Sequence, residues 1–241
     1  MKLSKEAEFL KRFALIAGEH ALNTKSTMSV IAKGHDGDLV TEVDFENEKL
    51  FVEMSKKEFP EFEVIGEEFS SDKTPSSKYF LVDPIDGTVN FANGLPFWGV
   101  QAECVVDNNT IAAVIYLPEL NELYIADTNS AYLNGVLLSA KSKNKPLNQI
   151  VWSCSMNAKK QLTGLSDLLG GFTGYRRIGS LAVEFSLALK GHLDCVCYFG
   201  QKRTESAGIF IGRMAGLLTH GHINKFCITN SKIVHGFVGN L

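Results

Sequence analysis

Val82-Asp83-Pro84-Ile85-Asp86-Gly87-Thr88-Val89-Asn90-Phe91 is the stretch from which the fold and the chemistry are read. It follows the apolar run Tyr79-Phe80-Leu81-Val82, which has the composition of a buried strand. Proline cannot donate to a ladder and fixes φ, so the strand is expected to stop at Asp83. Asp86-Gly87 is a turn pair. Two carboxylates three residues apart across a stiff proline corner can converge on one point. Carboxylate and carbonyl oxygens are the ligands that a hard cation such as Mg2+ takes. Gly87 and Thr88 then open a new segment whose N–H groups suit a phosphate. A plain turn in which each Asp caps its own backbone accounts for Asp-Pro or Asp-Gly taken singly, but not for the whole run.

Upstream of this corner, Phe62 to Gly66 has the pattern of a short strand and delivers Glu67 and Glu68. Before it, Lys33 to Asp38 is a polar, glycine-rich loop and Leu39 to Val43 alternates like a strand. Asp44 is placed to cap a helix from Phe45 to Phe59, which Pro60 stops. At the start of the chain Ser4 can cap a helix running to about Asn23. Its Phe9, Leu10, Phe13, Ile16, Ala17 and Ala21 fall on one face. Downstream, Trp98 to Val106 and Ile111 to Tyr116 form a hairpin across Asp107-Asn108-Asn109. Leu123 to Ala126 and Ala131 to Leu133 continue the meander, and Asn134-Gly135 is a further turn.

Lys141 to Asn148 is polar, contains Pro146, and divides the chain into residues 1–145 and 146–241. Beyond it strands and helices alternate. Strands are expected at Ile150 to Cys154, Tyr175 to Ile178 and Asp194 to Phe199. Helices are expected at Leu162 to Leu169 and from Gly179-Ser180 to Lys190-Gly191, where Gly191 suits the C-terminal end. The order indicates an α/β (α+β) chain, with an antiparallel sheet and helices first and a smaller α/β sheet second.

The 241 residues are 45% hydrophobic and 21% charged, with a formal net charge of −3. These values are ordinary for a globular protein. No basic stripe points to nucleic acid. No apolar run approaches the ~20 residues of a membrane helix, and the charged start Met1-Lys2-Leu3-Ser4-Lys5-Glu6 is unlike a signal peptide. The five cysteines, Cys104, Cys154, Cys195, Cys197 and Cys227, show no zinc-type spacing. Cys195 and Cys197 lie in an apolar alternating stretch and are read as strand packing. Reduced thiols and a cytoplasmic location are expected. His220-Gly221-His222 is read as a loop after a strand.

Asp83-Pro-Ile-Asp86-Gly-Thr88, with Asn90-Phe91, Gly94 and Pro96, resembles the metal-binding signature of the inositol monophosphatase family. Asp38-Leu-Val-Thr41-x-x-Asp44, Gly66-Glu67-Glu68, Arg177-x-Gly179-Ser180-x-Ala182 and Gly191-His192-Leu193-Asp194 are similar to further segments of that family. The resemblance runs from about Lys33 to Leu218. It implies a layered αβαβα sandwich and a homodimeric, lithium-sensitive, Mg2+-dependent phosphomonoesterase acting on a small phosphorylated alcohol through metal-activated water. By the same resemblance, Glu67, Asp83, the Ile85 carbonyl, Asp86 and Glu205 are metal ligands. Thr88, Asp44 and Glu67 are catalytic, while Asp86, Gly87, Thr88, Ser180 and Glu205 face the substrate.

Two departures bear on the substrate and the metal. Where the family has a Trp-Asp pair, this chain reads Lys202-Arg203-Thr204-Glu205-Ser206-Ala207-Gly208. Counting forward from Gly179-Ser180 puts Glu205 at the ligand position, and counting backward from Ala215-Gly216-Leu217 puts Arg203 there. A carboxylate can hold a cation and a guanidinium cannot, which favours Glu205. Tyr198 stands where inositol phosphatases carry a glutamate. A 3′-phosphonucleotide, histidinol phosphate or sugar phosphate therefore remains an alternative substrate. A non-catalytic homologue that binds a phosphorylated ligand is the alternative outside the enzymes. No Gly-x-Ser-x-Gly elbow supports a serine hydrolase.

Overall fold

The computed structural model describes residues 2–33, 38–69, 75–140, 145–156, 174–199, 206–222 and 225–230. Helix α1 (Lys5–Thr24) begins where the Ala7 N–H donates to the Ser4 hydroxyl oxygen at 3.2 Å. The Ser4 N–H donates to Asp127 Oδ2 at 2.9 Å and ties the helix start to the sheet. A short antiparallel ladder, β1 (Val30–Lys33) with β2 (Asp38–Thr41), follows.

Helix α2 (Glu42–Glu58) starts three residues earlier than a cap at Asp44 requires. Thr41 is the cap and Asp44 sits inside the first turn. The Asp44 carboxylate reaches back to accept the Thr41 N–H at 2.8 Å and the Thr41 hydroxyl at 2.5 Å. This reciprocal arrangement draws Glu42 and Val43 into the helix.

The large sheet has the order β3-β4-β5-β6-β7-β8-β9. Its strands are β3 (Glu63–Gly66), β4 (Lys78–Asp86), β5 (Gly99–Val106), β6 (Asn109–Leu117), β7 (Glu122–Asp127), β8 (Ala131–Leu133) and β9 (Val136–Leu137). β3 runs parallel to β4, and every other pair is antiparallel. Asp107 and Asn108, at φ 49° and 63°, form the two-residue turn between β5 and β6.

The strand expected to end at Asp83 continues to Asp86. Asp83 pairs with Gln101 and Asp86 with Gly99, so β4 carries one residue more than β5 across that interval. Pro84 and Ile85 occupy this bulge, where the missing proline N–H costs no ladder bond.

One face of the large sheet packs on α1 and α2. Phe9 and Phe51 meet Phe80 of β4 and Phe13 meets Phe51, with ring centroids 4.6 Å apart for Phe13–Phe51 and 5.2 Å for Phe9–Phe80. The other face, with Ile115 and Leu117 of β6 and Tyr124 of β7, packs on α4 (Leu181–Leu189) and α5 (Ala207–Met214). A short helix α3 (Thr88–Ala92) follows Gly87.

Beyond α4 and α5 lies a second sheet of order β11-β10-β12-β14-β13. It comprises β10 (Trp152–Met156), β11 (Tyr175–Arg176), β12 (Cys195–Phe199), β13 (Leu218–His222) and β14 (Lys225–Thr229). Val196, Tyr198 and Ile228 face the helices from this sheet. The core between the sheets thus draws on both sides of the division at residue 145. β11 is shorter than the strand expected at Tyr175 to Ile178, and His220-Gly221-His222 lies within β13 instead of a loop. The result is an α+β sandwich with helix, sheet, helix and sheet layers among the described residues. The helix expected at Leu162 to Leu169 lies outside the described residues.

Candidate active site

The sheet register brings the acidic residues together. Gly66 of β3 pairs with Val82 of the parallel β4, so Glu67 emerges level with Asp83. The turn that carries Glu67 is held by Glu48 of α2, which is 1% exposed. The Glu68 N–H donates to Glu48 Oε2 at 2.8 Å and the Phe69 N–H to Oε1 at 3.1 Å. A Cβ at Gly66 would overlap the Glu48 carboxylate, so the approach of the helix requires glycine there. Glu48 follows Asp44 by four residues and lies on the same side of α2.

At the corner itself, the Ile85 N–H donates to Asp83 Oδ1 at 3.1 Å. Thr88 Oγ1 lies 3.0 Å from the Ile85 carbonyl oxygen and 3.4 Å from Asp44 Oδ1. One hydroxyl proton serves one of these acceptors at a time. Asp86 turns toward α4, where its Oδ2 accepts the Ser180 hydroxyl at 2.5 Å and the Ala182 N–H at 2.6 Å. Ser180 in turn accepts the Val183 N–H at 3.3 Å. Ser180 therefore meets the site through Asp86, with its hydroxyl donated inside the protein.

Two glycines and an asparagine hold the loops in register. Gly87 has φ +90°, and a Cβ there would stand 2.8 Å from Ser180 Cβ and 3.0 Å from the Phe97 carbonyl oxygen. Gly179 also lies in the left-handed region, at φ +83°. The Asn90 side-chain amide donates to the Phe97 carbonyl at 2.7 Å and to the Ile178 carbonyl at 2.9 Å. The signature loop is thereby clamped to the segment before α4.

The electrostatics are those of crowded acids. Burial pushes Asp44 up to about 6 against the opposing bonds from Thr41, and the charges of Glu68 and Glu67 add to the rise. Burial also raises Glu48 and Asp86; Glu67 acts on both, and Glu68 on Glu48. Each charge that moves these three groups is another carboxylate. The donor set of carboxylate oxygens with the Ile85 carbonyl fits a hard divalent cation, which would offset that repulsion. Glu184 of α4 accepts the Ile178 N–H at 3.1 Å. Burial pushes its carboxyl up to about 7, and the Asp86 charge adds to the rise.

The sequence profile of the inositol monophosphatase family matches residues 2–236. The chain belongs to that family. It is 30% identical over 250 residues to a fructose-1,6-bisphosphatase/inositol-1-monophosphatase of Aquifex aeolicus, covering 98% of this chain and 94% of the relative. It is 29% identical over 227 residues to the Nus factor SuhB of Pasteurella multocida, covering 81% and 85%. The fold is shared with a Thermotoga maritima IMPase at TM-score 0.84 and 24% identity, covering 97% of this chain and 94% of that one. An IMPase/NADP phosphatase complexed with Mg2+ and phosphate shares it at TM-score 0.80 and 21% identity, covering 97% and 91%. This family member is a phosphatase. No helix among the described residues is long and apolar enough to cross a membrane.

Asp44, Glu67, Asp83, Ile85, Asp86, Gly87 and Thr88, all read from the sequence, thus lie where the first turn of α2, the turn after β3 and the junction of β4 with α3 meet. Glu205 and its competitor Arg203 lie outside the described residues. Tyr198 is 4% exposed and packs in the core between the sheets. Glu48, Gly66 and Asn90 are residues that sequence reading left without a role. The Asp44–Glu48 spacing and the glycine before Glu67 were the available signals.

Proposed function

We propose that this phosphatase is a Mg2+-dependent phosphomonoesterase for a small phosphorylated alcohol of the inositol monophosphate type. The convergence of Glu67 with Asp86 and Asp44, from three separate elements, carries this reading. Glu67, Asp83, the Ile85 carbonyl, Asp86 and Glu205 would hold the metal. When bound, Mg2+ supplies Lewis-acid polarisation of water and of the phosphoryl oxygens.

The chain's own groups then do the positioning. Thr88 directs the attacking water toward phosphorus. Asp44, whose Oδ1 lies 3.4 Å from Thr88 Oγ1, helps aim that water. The Gly87 and Thr88 N–H groups bind equatorial phosphate oxygens. Ser180 and the Ala182 N–H fix Asp86 in place. Most of the rate comes from positioning and charge neutralisation, with no covalent phosphoenzyme. The working form is a cytoplasmic homodimer, following the family resemblance.

A panel of inositol monophosphate, a 3′-phosphonucleotide, histidinol phosphate and a sugar phosphate tests this, assayed for phosphate release with Mg2+ and with EDTA. Mg2+-dependent release from inositol monophosphate that EDTA abolishes is the expected result. Preference for another ester corrects the substrate class. Ligand binding that survives EDTA with no turnover on any ester would make the chain a phospholigand-binding homologue. Full activity in Glu205→Ala would remove Glu205 from the ligand set.

A further inference from the structure

We propose that Cys195, Cys197 and Cys227 form a thiolate site for Zn2+ on the face of the second sheet turned away from α4 and α5. Strand alternation sends Val196 and Tyr198 of β12 into the helical layer. It sends Cys195 and Cys197 to the opposite face, among Ile150, Trp152 and Cys154. The register of β12 with β14 sets Cys227 opposite Cys197. Cys195 Sγ lies 3.5 Å from Cys197 Sγ and 3.2 Å from Cys227 Sγ. All three sulfur atoms fall within 4.8 Å of one another.

A tetrahedral Zn2+ with Zn–S bonds of about 2.3 Å needs sulfur atoms roughly 3.8 Å apart. The strands already hold the three at about that spacing. Small-residue packing explains one inward thiol on a strand. It does not explain three that converge on one point from two strands. None of the three is in a disulfide, and all are buried. Among the described residues the surroundings are apolar and the cluster holds no carboxylate, which selects a soft-ligand metal over Mg2+.

Each thiol has one hydrogen bond within the trio that lowers it and one that raises it, and with burial the net effect holds all three well above the usual thiol range, so they stay protonated without a cation. Binding converts three thiols to thiolates, releases three protons and leaves a complex of net charge −1. Cys154, opposite Cys197 on β10, is not among the mutually close sulfur atoms, so the fourth position is left to a solvent ligand. The site would staple β12 to β14, two strands that are distant in sequence. It is independent of the Mg2+ chemistry at Asp83 and Asp86.

The test is the metal content of the full-length chain, purified under reducing conditions, treated with EDTA and analysed by mass spectrometry. About one zinc per chain should survive, and it should be lost in Cys195→Ser and in Cys227→Ser but kept in Cys104→Ser. In a second measurement that needs no variant, zinc-free wild type is refolded with Co2+ alone. It should show the near-ultraviolet thiolate-to-cobalt band and the intense visible bands of tetrahedral cobalt. A zinc-free purified protein that also gives no such bands overturns the proposal. So does zinc retained undiminished in both trio variants.

Discussion

Replacing Glu48 by Gln keeps the shape of the side chain and one acceptor oxygen. It sets an NH2 group against a backbone N–H that now donates to a carboxylate. The wild-type carboxylate accepts from Glu68 at 2.8 Å and from Phe69 at 3.1 Å. One charge-assisted bond is lost, worth about 1.5–3 kcal/mol. At about 1.4 kcal/mol per tenfold, full expression of that loss in the placement of Glu67 is roughly 10- to 100-fold in metal affinity. Groups that orient metal ligands show effects of about the same size. The variant also removes one negative charge from the acidic cluster, which acts in the same direction. The assay is phosphate release titrated with Mg2+, with the KM for the ester measured at saturating Mg2+ as the control. The half-saturating Mg2+ concentration should rise about 10- to 100-fold while that KM changes little. Gly66→Ala should shift it the same way, because the added methyl pushes on the same carboxylate. A folded Glu48→Gln protein with the wild-type Mg2+ dependence would refute the idea that α2 positions Glu67.

Glu184 has its carboxyl raised from 4.5 to about 7, so the folded chain holds this proton more tightly than the unfolded chain. Its stabilising contribution is complete below pH 4.5 and is lost as pH rises to about 7, a change of about 3 kcal/mol. Glu184→Gln should flatten the difference between urea-unfolding free energies at pH 4.5 and pH 8 by up to that amount; an unchanged difference contradicts the linkage. Gly87→Ala must adopt φ +90°, which costs about 1–2 kcal/mol before the contact with Ser180 is counted. It should lower the thermal midpoint and cut kcat more than tenfold, as read by thermal unfolding and steady-state assay. Phe51→Ala opens a cavity among Phe9, Phe13 and Phe80. It should destabilise the chain by about 3–5 kcal/mol in urea unfolding.

Local chemistry made much of the fold readable. Ser4 caps α1 as its hydroxyl predicts, and Asp107-Asn108 and Asn134-Gly135 turn as their positive φ angles require. What failed were boundaries decided by partners distant in sequence. Pro84 ends a strand by local rules, yet Gly99 of β5 pairs with Asp86 beyond it, and a bulge absorbs the proline. Asp44 looks like a cap until Thr41 is seen to hold that place.

At the site, the Asp83 to Thr88 run could be singled out from sequence because its groups are neighbours along the chain. Glu48 could not be assigned that way, since its role depends on α2 meeting the turn after β3. Cys195 and Cys197 read as strand packing from sequence, and they do pack on a strand face. Cys227 joins Cys195 and Cys197 only through the β12–β14 register.

A crystal structure grown with Mn2+ in place of Mg2+ and with phosphate, read by anomalous scattering, tests the central claim most directly. The predicted result is a metal peak bonded to the carboxylates of Glu67 and Asp83 and to the Ile85 carbonyl. The phosphate should lie against the Gly87 and Thr88 N–H groups. A phosphate bound elsewhere, or a corner that takes no metal at saturating Mn2+, would contradict it.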